Sequence, residues 1–308
     1  MIKGVLKLSN SILCNRDVLG RSFECEIDGI KASIHFPQFP IVDESKPQIG
    51  ISNPLLAPEI GKQFSDHGDP LFWGIPVSYP AGNSSVNRLV ISVECEETQN
   101  KDRAKVLYES YEQWVYSFII YLMLETKQNL ERNRNKDEFA FLQLVDDKYI
   151  PNMTPVNLCL NIPVNSSFAS EVQIINAIHF ANSGKELLFE YQMLLSAYCA
   201  IQENQNRRAI MDACVALEIF LVNQIKLTCQ SKQTSSDTYN VDNLSLGERI
   251  KLIRLLDQRF PNKDYDNLIV KPRNDLMHGR CIYPEDEKTI NLVLCVEEIL
   301  NFYHKSYY

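Results

Sequence analysis

A guanidinium, a carboxamide and an imidazole fall within six consecutive positions of this chain, at Arg273, Asn274 and His278. They belong to the run Arg273-Asn274-Asp275-Leu276-Met277-His278-Gly279-Arg280, which follows Lys271-Pro272. A guanidinium grips a phosphate through paired N–H donors, and an imidazole moves a proton near neutral pH. Together these are the minimum equipment for cutting RNA without a metal. The imidazole would take the proton of a ribose 2′-hydroxyl or give one to the leaving 5′-oxygen. The guanidinium would stabilise the charge building on the phosphorane, an effect of roughly several kcal/mol in a water-excluded site. The attacking group is then the substrate's own 2′-hydroxyl, so DNA would be inert and the product would end in a cyclic phosphate.

The spacing sets conditions on the elements that carry these groups. Pro272 fixes φ and lacks an amide hydrogen, which favours a helix starting or restarting there. Arg273 and Asn274 would then lie in a first turn whose free amides attract anions. Asn274 and His278 are four apart and share a helix face, so the carboxamide can orient the ring. Arg273 and His278 are five apart, about 140° around the axis and ~7.5 Å along it. They can flank one groove only if the guanidinium wraps around and a second helix or subunit completes the site. The bland alternative is a capped helix start with a satisfied histidine.

A helix over 206–230 bears on the same point. Ile210, Ala213, Cys214, Leu217, Leu221 and Ile225 form an apolar stripe, and Glu218 sits roughly 80° from its centre at ~100° per residue. A carboxylate at the edge of a core needs a partner. Two readings stand for Glu218, a bond to a neighbouring helix end or a hold on a basic group of the motif.

The elements divide into two textures. Up to residue 165 the chain alternates as strands do, in Gly4–Leu8, Ser22–Ile27 and Lys31–Phe36. Asp28-Gly29 between the last two is a two-residue hairpin signal. Further strands are expected over 74–79, 88–96, 138–145 and 156–162, with a long Pro-rich polar loop over 37–70. One long helix, 101–130, carries Tyr108, Tyr111, Trp114 and Phe118 on a face suited to packing across a sheet. From 166 onward the chain reads as helices over 168–180, 184–203, 206–230, 246–258, 264–279 and 285–305. Ser245 and Glu248 have capping-box spacing, and Pro284-Glu285-Asp286-Glu287 opens the last helix. The polar stretch between Thr228 and Ser245 reads as a mobile loop. The expectation is an α+β protein: a β-rich domain over 1–165, then an all-α bundle over 166–308.

Composition limits what such a protein does. A net charge of −8 argues against coating nucleic acid through bulk positive potential, so any RNA-binding surface must be local. Nine scattered cysteines without a CxxC read as reduced, buried thiols of a cytoplasmic protein. No signal peptide is visible at Met1-Ile2-Lys3-Gly4. The greasiest stretch, Trp114 to Leu124, is about half the ~20 residues that span a bilayer, so no membrane association is expected. Ser65-Asp66-His67-Gly68-Asp69 reads as a turn rather than a metal site. Gly61-Lys62 and Gly184-Lys185 lack the upstream glycine of a phosphate loop, and His35, His179 and His304 read as core or boundary histidines. Arg132-Asn133-Arg134-Asn135-Lys136 and Arg207-Arg208 are two local basic groups able to touch an RNA backbone. No cofactor and no metal is called for.

The segment Arg273 to Gly279 resembles the R-x4–6-H signature of HEPN domains (higher eukaryotes and prokaryotes nucleotide-binding), with Asn274 at the polar position after the arginine. The segment from Ala209 to Glu218 is similar to an earlier helix of that family, which often carries an acid at the position of Glu218. The resemblance covers roughly residues 168–308. It implies a helical bundle that dimerises and faces two motif copies across a cleft. It also implies metal-independent endoribonuclease activity in defence or stress systems, although other members only bind nucleotides or partners. In strand alternation and order the N-terminal half resembles the front domain of ApeA-like bacterial defence proteins. A subset of the family's toxins has tyrosine two residues after the histidine, where this chain has Arg280, so chemistry using that tyrosine is not expected. The combined expectation is a homodimeric ribonuclease with an RNA substrate and a protein trigger bound by the N-terminal domain. Arg273 and His278 form its core, Asn274 orients and Glu218 supports. The alternative is a non-catalytic dimerisation or nucleotide-binding module beside a partner-recognising β domain.

Overall fold

The computed structural model describes residues 2–37, 74–76, 83–94, 101–130, 143–145, 148–150, 167–281 and 283–304. The protein is mixed α+β, with two compact units, Met1–Lys185 and Glu186–Tyr308.

Strands β1 (Ile2–Cys14), β2 (Ser22–Ile27), β3 (Ile30–His35), β4 (Gly74–Pro76) and β5 (Ser84–Val93) make one antiparallel sheet in the first unit. The order along it is β1-β5-β3-β2, and β4 pairs with the same strand β5. Residues 90–93 of β5 meet β3, while 84–86 meet β4, so two short strands share one edge of a longer one. Between Lys7 and Ile12 the register of β1 against β5 shifts, a bulge that bends the strand. β2 and β3 join at Asp28-Gly29, where both residues take positive φ (52° and 74°) as the hairpin requires. Period-2 alternation turns Phe23, Cys25 and Ile27 inward and Glu24 and Glu26 outward. A separate hairpin pairs β6 (Gln143–Val145) with β7 (Lys148–Ile150).

Helix α1 (Lys101–Thr126) buries Tyr111, Trp114, Val115, Phe118 and Leu122. Its main partner is another helix, α2 (Glu171–Ser183), rather than the sheet face expected from its aromatic stripe. Tyr121 stacks on Phe180 at 4.8 Å, and the Trp114 indole N–H donates to Asn182 at 2.9 Å. Ser170 and Gln173 form a capping box at the start of α2. These contacts place α2 with the strands, so the chain divides after Lys185 and not at 165/166. Gln128 fastens the same unit. Its amide exchanges hydrogen bonds with the Leu13 N–H (2.7 Å) and C=O (2.9 Å) and donates to Ser167 (2.8 Å).

The second unit is a helical bundle of α3 (Phe189–Gln202), α4 (Asn206–Ser231), α5 (Leu246–Leu256), α6 (Lys271–Met277) and α7 (Asp286–Tyr303). Helix α4 lies at its centre, touching all four others. The whole expected stripe from Ile210 to Ile225 is buried, joined by Ala209, Ala216, Phe220 and Cys229. Each large apolar side chain so buried contributes about 1.5–3 kcal/mol. Ser245 and Glu248 close their capping box at the start of α5. The stretch before them, expected as a mobile loop, carries two 3₁₀ turns, Ser236–Tyr239 and Val241–Asn243. Lys226 pairs with Asp242 at 2.9 Å, and Arg249 donates to the Val241 and Asp242 carbonyls.

Among the described residues no helix is long and apolar enough to cross a membrane. The seven described cysteines are free thiols, and all but Cys281 are buried. The expected loop over 38–70, the strand over 156–162, the Asp66-His67 segment and the basic run from Arg132 to Lys136 lie outside the described residues.

Candidate active site

The segment that carries the motif begins at Asp264, whose carboxylate accepts from the Asn267 N–H at 3.2 Å. A π turn, Asp266–Val270, follows and runs directly into α6. The Lys271 N–H reaches back five residues to the Asp266 carbonyl, and Val270 and Lys271 are already right-handed helical. The wider turn leads into Pro272, whose ring would clash with the carbonyl four residues before it in a regular α-helix. The α-helix thus restarts at Lys271 with Pro272 in its first turn, inside the longer helical run expected over 264–279.

Arg273 points at the central helix. Its Nη2 donates to Glu218 Oε1 at 2.9 Å, and its Nη1 donates to Asn274 Oδ1 at 3.3 Å. The side chains of Arg273 and Glu218 are 28% and 26% exposed, so the pair sits at the rim of the bundle. Of the two readings of Glu218, its contact is with the basic group of the motif. A guanidinium has five N–H donors. Two are engaged, and Nε is buried without a partner. One N–H on each terminal nitrogen has no partner among the described residues, and such donors can take a phosphate oxygen.

Beneath this pair lies Cys214, one turn before Glu218 on α4. Burial pushes its thiol up to about 12, with the Glu218 charge adding to the effect and Arg273 opposing it. Cys214 is therefore a neutral packing group at physiological pH.

His278 closes α6. Its own N–H bonds the Asn274 carbonyl at 2.9 Å, and Gly279 at φ 67° turns the chain away. That left-handed conformation suits glycine, which has no Cβ to collide with the carbonyl. The imidazole is exposed and makes no hydrogen bond or ion pair with any described residue. Asn274 bonds the arginine through its side chain and the His278 amide through its carbonyl. The carboxamide thus aims the guanidinium and makes no hydrogen bond to the ring.

Beyond the helix, the Asp275 carbonyl accepts from the amides of Arg280 (2.7 Å) and Cys281 (3.1 Å). Of the second basic pair, Arg208 is absorbed by Asp212 (3.4 Å), Glu203 (3.9 Å) and Ser196 (3.1 Å), while Arg207 is exposed. Sequence reasoning missed the π turn, for which no pattern signal exists. It also missed the cap at Asp264, which the Asp264-to-Asn267 spacing could have revealed. Comparison of the chain with protein-family models, with curated proteins and with solved structures returns no match.

Proposed function

We propose that the protein is a metal-independent endoribonuclease of the HEPN type, acting as a homodimer in defence or stress. The observation that supports this most is the division of labour on one short helix. Arg273 is held in place by Glu218 and Asn274 with two N–H donors to spare, while His278 stands exposed with its ring uncommitted. A half-buried carboxylate partner orients a cation without engaging every donor, which is what transition-state charge stabilisation needs. An exposed, unbonded imidazole is free to exchange a proton with a bound ribose.

In this reading the phosphate docks on the terminal nitrogens of Arg273, and the His278 imidazole removes the 2′-hydroxyl proton. The 2′-oxygen attacks phosphorus, and the 5′-oxygen leaves with a proton. The second acid or base comes from the second copy of the motif, since one chain offers one histidine here. The β-rich unit is the place for a protein trigger. The non-catalytic reading draws on the same Arg273–Glu218 pair, which also ties α6 to α4. Titrating RNA cleavage in EDTA with wild type and Arg273→Lys separates them. A lysine keeps the charge but loses bidentate geometry, so a nuclease loses most of its cleavage, whereas a scaffold cleaves with neither protein.

A further inference from the structure

We propose that Arg280 and Tyr283 form a second nucleotide-binding step beside the reactive phosphate, making unpaired RNA the substrate. The inference rests on the ribonuclease reading above but concerns residues that the motif does not include. Arg280 follows the terminating Gly279, and its backbone is fixed by the 2.7 Å bond to the Asp275 carbonyl. Its side chain is 70% exposed, and its nearest charge, Asp275 Oδ1, is 3.8 Å away, outside hydrogen-bond reach. The cation is held by the backbone yet left to the solvent.

Tyr283 is 89% exposed, and its ring stacks on no described residue. It does not sit on a loose tail. The next residue, Pro284, has its carbonyl bonded by Asn206 Nδ2 at 3.0 Å, and the same amide reaches Asp286 at 2.5 Å. An exposed aromatic ring three residues after an exposed guanidinium, next to the anchored Pro284, offers the two groups that read single-stranded nucleic acid. The guanidinium takes the backbone phosphate and the ring takes a base face.

Reach is sufficient. Cα atoms two and three positions apart lie at most ~7 and ~10 Å from one another. His278, Arg280 and Tyr283 can therefore serve neighbouring nucleotides of one strand. In an RNA duplex the bases are stacked on each other and closed to Tyr283. An acidic protein needs such local contacts, because its net charge of −8 supplies no general attraction.

The test uses the full chain and a fluorescent ten-nucleotide 2′-O-methyl RNA, which cannot be cleaved by 2′-hydroxyl attack, followed by anisotropy in EDTA. Tyr283→Ala should weaken binding about tenfold, as loss of one stacked base does, while Tyr283→Phe stays within about twofold because the ring is kept. Arg280→Gln should flatten the salt dependence by about 0.7 in log Kd against log salt, the release from one single-strand phosphate. A hairpin duplex should bind Tyr283→Ala as it binds wild type. Unchanged binding by both Arg280→Gln and Tyr283→Ala overturns the proposal, as does failure of the wild type to bind. A Tyr283→Ala variant that sediments as a monomer, with RNA affinity intact, overturns it in favour of a contact between copies. Because the probe is uncleavable, the two readings fail separately. His278-dependent cleavage of ordinary RNA with binding indifferent to both residues sinks this step alone. The expected binding losses without any cleavage sink the nuclease and leave the step.

Discussion

Replacing Glu218 by glutamine keeps a hydrogen-bond acceptor beside Arg273 and removes the charge, while alanine removes both. Exposed ion pairs contribute about 0–1 kcal/mol, and breaking a fully buried one costs about 3–5 kcal/mol. With side chains roughly a quarter exposed at 2.9 Å separation, the pair belongs between these limits. Its partner makes the loss sharper, because Arg273 Nε is already buried and unbonded. Glu218→Ala leaves the guanidinium with only Asn274, at 3.3 Å. We expect a cost of about 2 kcal/mol for Glu218→Ala and about 1 kcal/mol for Glu218→Gln. The assay is a double-mutant cycle with Arg273→Gln, read from urea midpoints, in which the pair should couple by about 1–2 kcal/mol. The coupling should shrink in high salt, since a partly exposed pair is screened. Additivity within about 0.3 kcal/mol refutes the claim that Glu218 holds Arg273. If the pair also aims the guanidinium, Glu218→Gln should lower kcat more than it raises KM.

In the first unit, Gln128→Ala strands the Leu13 amide and the Ser167 carbonyl, while the Leu13 carbonyl keeps its bond from the Ala169 N–H at 2.7 Å. The loss should cost about 2 kcal/mol. A urea-midpoint loss below about 0.5 kcal/mol contradicts that bonding. In the second unit, Asp257 accepts from Arg259 Nε (3.0 Å) and Nη2 (2.9 Å) and from the Tyr303 hydroxyl (3.2 Å). Chiefly the Arg259 hydrogen bond lowers its carboxyl to about 2 in the folded protein, against ~3.9 in an unfolded chain. The unfolded state therefore binds a proton first as pH falls. The contribution is complete above about pH 4 and is lost on the way down to about pH 2. Asp257→Asn should flatten the stability profile across that window and leave its slope near neutrality unchanged.

Where one residue pattern answers to one local cause, the sequence was readable. The Asp28-Gly29 hairpin, the Ser245/Glu248 capping box and the buried stripe from Ile210 to Ile225 follow from positive φ, reciprocal amide capping and a 3.6-residue period. Even the partner of Glu218 was within reach, because a carboxylate at a core's edge needs a cation. Tertiary choices were not readable. Nothing in the pattern of α1 says that its aromatic face meets α2 more than the sheet, and so the unit boundary moves past 183. The π turn escapes because its five-residue hydrogen bond leaves no periodic mark over so few residues.

In the proposed reaction His278 carries a proton as RNA is cut. Total RNA and purified tRNA, incubated in EDTA with wild type and with His278→Ala, test it most directly. His278 is exposed and makes no hydrogen bond to any described residue, so the variant should melt with the wild type. The wild type should give fragments with cyclic-phosphate ends, and the variant at least about a hundredfold less. Equal cleavage by the two proteins, or fragments without cyclic-phosphate ends, contradicts it.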